Sequence, residues 1–179
     1  MTKVLAHTVL GIALVANEEW DAAEKAEREA LATARQSGVG FGITAWAVCF
    51  LAEVMLGRND NRAALEMADA ALSEARQNGG RLFEMDALLV RARALLRCAE
   101  PNAAVEAQRT LVEVRALIDE TGAHSRSPVV HETAAEIARS VGDTLTSDQL
   151  LRQAEEGYEQ IGALGHAQRL AAQRQVLSV

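Results

Sequence analysis

The chain has 179 residues, 49% of them apolar and 3% aromatic, with two prolines; that supports one substantial core but supplies too few strand formers for a large sheet. Its 18 Lys and Arg against 25 Asp and Glu leave a formal charge of −7, a field that repels phosphate backbones and argues against nucleic-acid binding. Cys49 and Cys98 lie inside apolar runs with no paired spacing, so both are expected to be small core residues in a reducing cytoplasm.

Taken in order, the elements read as four helix pairs and a terminal helix. The first helix, about Thr2 to Ala16, carries Leu5, Val9, Ile12 and Val15 with Leu10 and Leu14 between them. Apolar residues around most of its circumference predict packing on two sides. Lys3 followed by VLAHTVLGIALVA has the outline of a secretion signal, but His7 and Gly11 interrupt it and no small-x-small cleavage site follows. A structural helix is therefore expected. Asn17 is expected to cap a second helix with an acidic first turn (Glu18, Glu19, Asp21) that stops at Ser37-Gly38.

Further helices are predicted from Phe41 to Leu56, Asn61 to Asn78, Arg81 to Arg97, Asn102 to Glu120, Pro128 to Val141, Ser147 to Ile161 and His166 to Val176. The breaks fall at Gly57-Arg-Asn-Asp60, Gly79-Gly80, Pro101, Gly122, Gly142-Asp143 and between Gly162 and Gly165. The stretch GVGFG at 38–42 follows no strand and precedes no GKS or GKT, so a phosphate loop is not expected. Neither the first helix nor 39–52 reaches the roughly 20 apolar residues that span a bilayer.

Two of these helices close on nearly the same text. Residues 30–38 read ALATARQSG and residues 71–79 read ALSEARQNG, 41 positions apart. A period of this size marks a stacked helical array whose units are each too small to bury their own apolar face. Small residues extend the pattern. Gly11, Ala52, Ala92 and Ala135 recur in the first helices; Ala23, Ala64, Ala104 and Ser147, then Ala30, Ala71, Leu111 and Ala154, recur in the second.

In these positions the sequence resembles the tetratricopeptide family. The resemblance implies an all-α fold, a right-handed superhelix of about four antiparallel helix pairs, with units at 2–38, 39–80, 81–123 and 124–163 and a capping helix at 165–177. The chain departs from the family pattern in three ways. The aromatic before the second helix appears only as Trp20, the junction proline is missing, and Leu111 replaces a small residue. Units longer than the family's standard predict longer helices. The long units, with LLRQAEEGYEQIGALGHAQRLAAQ at 150–173, also resemble the C-terminal regions of bacterial class III adenylate or guanylate cyclases fused to an ATPase module, and of LuxR-type regulators. That likeness implies a cytoplasmic regulatory or scaffold segment of a larger signalling protein.

Catalytic and metal chemistry find no support in the sequence. His131-Glu132 begins a zinc-protease-like string, but Ala135 stands where the second ligand belongs. His124 and His131 read as surface groups, and the paired carboxylates Glu18-Glu19 and Glu155-Glu156 as solvated faces. No enzyme activity, cofactor or metal is expected.

The resemblance instead points to a concave surface lined by first helices. It carries the ligand-facing positions onto Trp46, Cys49 and Glu53, then Asp86, Leu89, Arg93 and Arg97, then Glu132, Glu136 and Arg139. Arg93 and Arg97 are four apart and share a helix face, suited either to clamp an acidic peptide or to pair with Glu132 and Glu136 next door. Trp46 with Phe50 and Phe41 is expected in the core. The expected function is a non-catalytic module that binds a protein, a peptide or another domain of its own chain. A small-ligand sensor or minor enzyme with an inter-helix pocket is the alternative, and a cavity lined by His131 or Glu136 would favour it. A homodimer through the apolar first or second helix is compatible with both.

Overall fold

The computed structural model describes residues 2–38 and 41–177, which leaves residues 39 and 40 of the GVGFG stretch and the side chain of Phe41 outside the description. The described residues form nine α-helices and no strand: α1 (Thr2–Ala16), α2 (Trp20–Ser37), α3 (Phe41–Gly57), α4 (Asn61–Gln77), α5 (Arg81–Cys98), α6 (Ala103–Thr121), α7 (Ser127–Ser140), α8 (Thr144–Gln160) and α9 (Leu164–Leu177). A 3-10 turn, His124–Arg126, precedes α7. No described helix is long and apolar enough to cross a membrane.

The ends of the helices follow local chemistry. Asp60 and Asp143 accept hydrogen bonds from the N–H groups of Ala63 and Thr146, at 3.2 and 3.0 Å, so each caps the helix behind it. The Asp143 cap starts α8 three residues earlier than the sequence suggested. Asn17 does not cap α2. Its N–H donates to the Ala13 carbonyl at the end of α1, and Glu18, at φ +60°, turns the chain instead. The turns between helix pairs centre on Gly38, Gly79, Gly122 and Gly162, all left-handed, a conformation that favours glycine at a helix end.

Odd-numbered helices pack on one another in sequence, α1 on α3, α3 on α5 and α5 on α7, while each even-numbered helix packs against the odd helices before and after it. Helices α1, α3, α5 and α7 therefore make one continuous layer. Close approach rests on small residues. Ala52, Ala92 and Ala135 are fully buried in α3, α5 and α7, as are Ala23, Ala64, Ala30, Ala71 and Ala154 in the even helices. Ser147, also buried, donates its hydroxyl to the Ala135 carbonyl at 2.9 Å and ties α8 to α7.

The third unit corrects the sequence register. Ala104 is half-exposed and Ala107 takes the buried position, with Val114, at 0% exposure, one helical repeat later. The connection Ala99–Asn102, one residue longer than its counterparts at 17–19, 58–60 and 141–143, supplies part of this three-residue shift, and α5, which runs one residue further past Ala92 than α3 does past Ala52, supplies another part. Two of its residues, Ala99 and Asn102, are left-handed. Larger side chains fill the centre of the stack. Met85, Leu88, Leu111 and Val54 are fully buried, each contributing about 1.5–3 kcal/mol by burial. Cys49 is buried and Cys98 half-buried, and neither is in a disulfide.

Candidate functional site

The odd-helix layer forms the floor of a cleft of about 480 Å³, to which α1, α3, α5, the 3-10 turn, α7, α8 and α9 all contribute residues. Ile12 and Val15 make one wall, Trp46, Phe50, Leu89 and Val90 the floor, and Tyr158, Ile161 and His166 the opposite rim. The volume and mainly apolar lining are those of a guest-sized cleft. Trp46 meets Phe50 edge-on at 5.7 Å between ring centres and Phe83 at 6.0 Å. Tyr158 stacks on His166 at 4.9 Å.

Three ion pairs cross the cleft floor, each joining one element to another further along the array. The Arg93 guanidinium of α5 pairs with Glu53 of α3, Arg126 of the 3-10 turn pairs with Asp86 of α5 at 3.0 Å, and Arg169 of α9 pairs with Glu132 of α7 at 2.9 Å. Glu132 also accepts the Tyr158 hydroxyl at 3.0 Å, and Asp86 accepts the Trp46 side chain. Burial, opposed by Arg126, leaves the Asp86 carboxyl raised to about 6. Burial also pushes up the Glu136 carboxyl, against the pull of Arg93, and lifts the Cys49 thiol well above its ordinary value. Near neutral pH Cys49 is thus a protonated thiol, a weak nucleophile.

Of the residues expected on a concave surface, Trp46, Cys49, Glu53, Asp86, Leu89, Arg93 and Glu132 line this one cleft. Arg97, Glu136 and Arg139 are not among its lining residues. Arg97 instead donates to the Leu56 carbonyl at 3.1 Å, so Arg93 and Arg97 do not form a paired clamp. Arg91 faces the opposite way, bonded to Asp69 and Thr110. Trp46 is half-buried and belongs to both the aromatic packing and the cleft.

The sequence reading missed Arg126, Tyr158, His166 and Arg169, which come from a turn, an even helix and the terminal helix. A signal for two of the ion pairs was present. Glu53 and Arg93, like Asp86 and Arg126, are opposite charges 40 residues apart, one repeat of the array. His131 is half-buried outside the cleft, and burial together with Arg115 pulls its imidazole down. Among the described residues no group of three or more His, Cys, Asp or Glu is placed to hold a metal ion. No family model matches this sequence, and no curated protein matches it either.

Proposed function

We propose that the chain is a non-catalytic binding module whose cleft receives a protein segment, either from a partner or from another domain of its own chain. The observation that carries this reading is the convergence of seven elements, from α1 to α9, on one mainly apolar cleft, braced by ion pairs between them. Each arginine lining the cleft already holds a carboxylate, so recognition rests on apolar side chains meeting Trp46, Phe50, Leu89 and Ile161. A basic clamp for an acidic peptide does not form, because Arg93 holds Glu53 and Arg97 holds the Leu56 carbonyl. The likeness to tetratricopeptide arrays and to the tails of cyclase-type regulators supports a cytoplasmic, regulatory role within a larger signalling protein.

The test is site-specific photo-crosslinking in the native host. A photoreactive side chain at Phe50 or Ile161 is expected to trap a partner that the same group at Val112, exposed on α6, does not. The purified partner should then lose at least about tenfold in affinity for Ile161→Glu, since a charge on the rim would be desolvated by the guest. Equal trapping from Val112, or unchanged affinity in Ile161→Glu, would remove the cleft from the function.

The small-ligand alternative is favoured by the volume alone, because about 480 Å³ lies within the range of small-molecule sites. Neither His131 nor Glu136 lines the cleft.

A further inference from the structure

Glu27, on α2, is the buried group the binding reading leaves unused. It is fully buried, and neither carboxyl oxygen has a hydrogen-bond partner. The side chain presses against α1 at Gly11, where a β-carbon would lie 2.2 Å from Oε1 and 2.7 Å from Cδ. One repeat on, the corresponding pair is Ala52 and Ala68, both fully buried. The first unit has therefore exchanged two methyl groups for a glycine and a carboxyl in the same small space. An ionised carboxylate with no donor in a site of this kind is strongly disfavoured.

The next turn of α1 beyond Gly11 carries Ile12, Val15 and Ala16, the wall of the cleft. We propose that Glu27 is a proton-operated latch: α1 stays docked while the carboxyl is protonated, and leaves α2 when it ionises, uncovering the α3 floor for a guest. This rests on the binding reading only for what the opening admits.

The charged groups around the latch are engaged elsewhere. On α1, His7 lies 3.6 Å from Glu29, its Nδ1 buried and without a partner, and Lys3 is exposed. On α2, Glu24 and Arg28 pair at 2.7 Å, and on α3, Glu53 holds Arg93. Burial is the sole cause that raises the Glu27 carboxyl, to about 8 against an ordinary 4.5. With α1 released the group is solvated and titrates near the ordinary value. Docking is then strongest below about pH 4.5, weakens about tenfold per pH unit above it, and levels off beyond about pH 8.

Hydrogen–deuterium exchange of the full chain, corrected for intrinsic rates and followed from about pH 5 to about pH 8, tests the latch. The opening constant of α1 amides is expected to rise about tenfold per unit in the wild type and to stay flat in Glu27→Gln. Amides of α9 should be flat in both. His7 is retained in the variant, so any slope that it causes remains there. Glu27→Met, of similar length and without polar atoms, repeats the test should the buried amide of Glu27→Gln weaken the fold. Equal α1 slopes in wild type and both variants, or slopes of α1 and α9 that rise together, would overturn the proposal. The measurement needs no guest, so its failure leaves the crosslinking result standing, and failed crosslinking leaves the latch standing.

Discussion

Glu53 of α3 and Arg93 of α5 face each other across the cleft floor, and the same 40-residue step separates Asp86 from Arg126 in the next ion pair. Both members of the first pair are less than a quarter exposed, at 17% and 24%. Removing one charge from so sheltered a pair strands the other. Arg93→Met should cost about 3 kcal/mol, since Glu53 loses its partner and Glu136 the positive charge that most offsets its burial. The double variant Arg93→Met with Glu53→Met should recover most of that loss. Urea unfolding of the wild type, Arg93→Met, Glu53→Met and the double variant would measure the coupling, and a double variant as weak as Arg93→Met alone would show that the charges are not the cause.

The contact between Gly11 and Glu27 predicts a change of sign. In the wild type, Gly11→Ala places a methyl group against buried Cγ, Cδ and Oε1 atoms at 2.9 Å or less, and overpacking should cost about 1–3 kcal/mol. In a Glu27→Ala background the obstacle is gone and the pair becomes that of Ala52 and Ala68. There Gly11→Ala should stabilise by about 1 kcal/mol through helix propensity. Thermal unfolding at one pH, below about 6, keeps the latch protonated and isolates the packing effect.

These two relationships also mark what the sequence could convey. The helices, their glycine stops and the alanine stripes were legible because each follows from local propensity and a period that the chain repeats. Ala107 was misread as Ala104 because a longer α5 and a longer connection at Ala99–Asn102 together move a register that periodicity alone carries past them. The cleft was half legible. Trp46, Glu53, Asp86, Leu89 and Arg93 lie on successive odd helices and share a repeat position or its neighbour, whereas Tyr158, His166 and Arg169 come from α8 and α9, at positions the repeat does not mark. Glu27 looked like one more acidic residue on an acidic helix. Only the packing of α1 over it shows a carboxyl without a partner.

Asp86 gives a second, separable pH effect. Its side chain is 14% exposed, and its carboxyl is raised from 3.8 to about 6 in the folded protein, with burial the largest cause. A carboxyl raised on folding weakens the fold as pH climbs from its unfolded to its folded value. Stability should fall by about 3 kcal/mol between about pH 3.8 and pH 6 from this group, then stop falling. Asp86→Asn should reduce the slope across that interval and leave the slope between about pH 6 and pH 8, which belongs to Glu27. Chemical denaturation at several pH values would separate them, and an unchanged lower slope in Asp86→Asn would contradict the assignment.

The terminal helix offers a ranking. Glu132 accepts the Arg169 guanidinium through both oxygens, at 2.9 and 3.0 Å, and also the hydroxyl of buried Tyr158. Arg169 is 49% exposed, so its loss in Arg169→Ala should cost under about 1 kcal/mol. Tyr158→Phe removes one hydrogen bond to a charged acceptor and should cost about 1.5 kcal/mol. Glu132→Ala strands a phenol in the core of the cap and should cost most, about 2–3 kcal/mol. Exchange of α9 amides, rather than global melting, is the sensitive readout, because the buried contacts of α9 are made with α8 and α7 through Ala167 and Leu170. If Arg169→Ala proves the most damaging of the three, the cap is held by its surface charge; if Glu132→Ala does, with Tyr158→Phe second, it is held by a buried acceptor serving the Tyr158 hydroxyl.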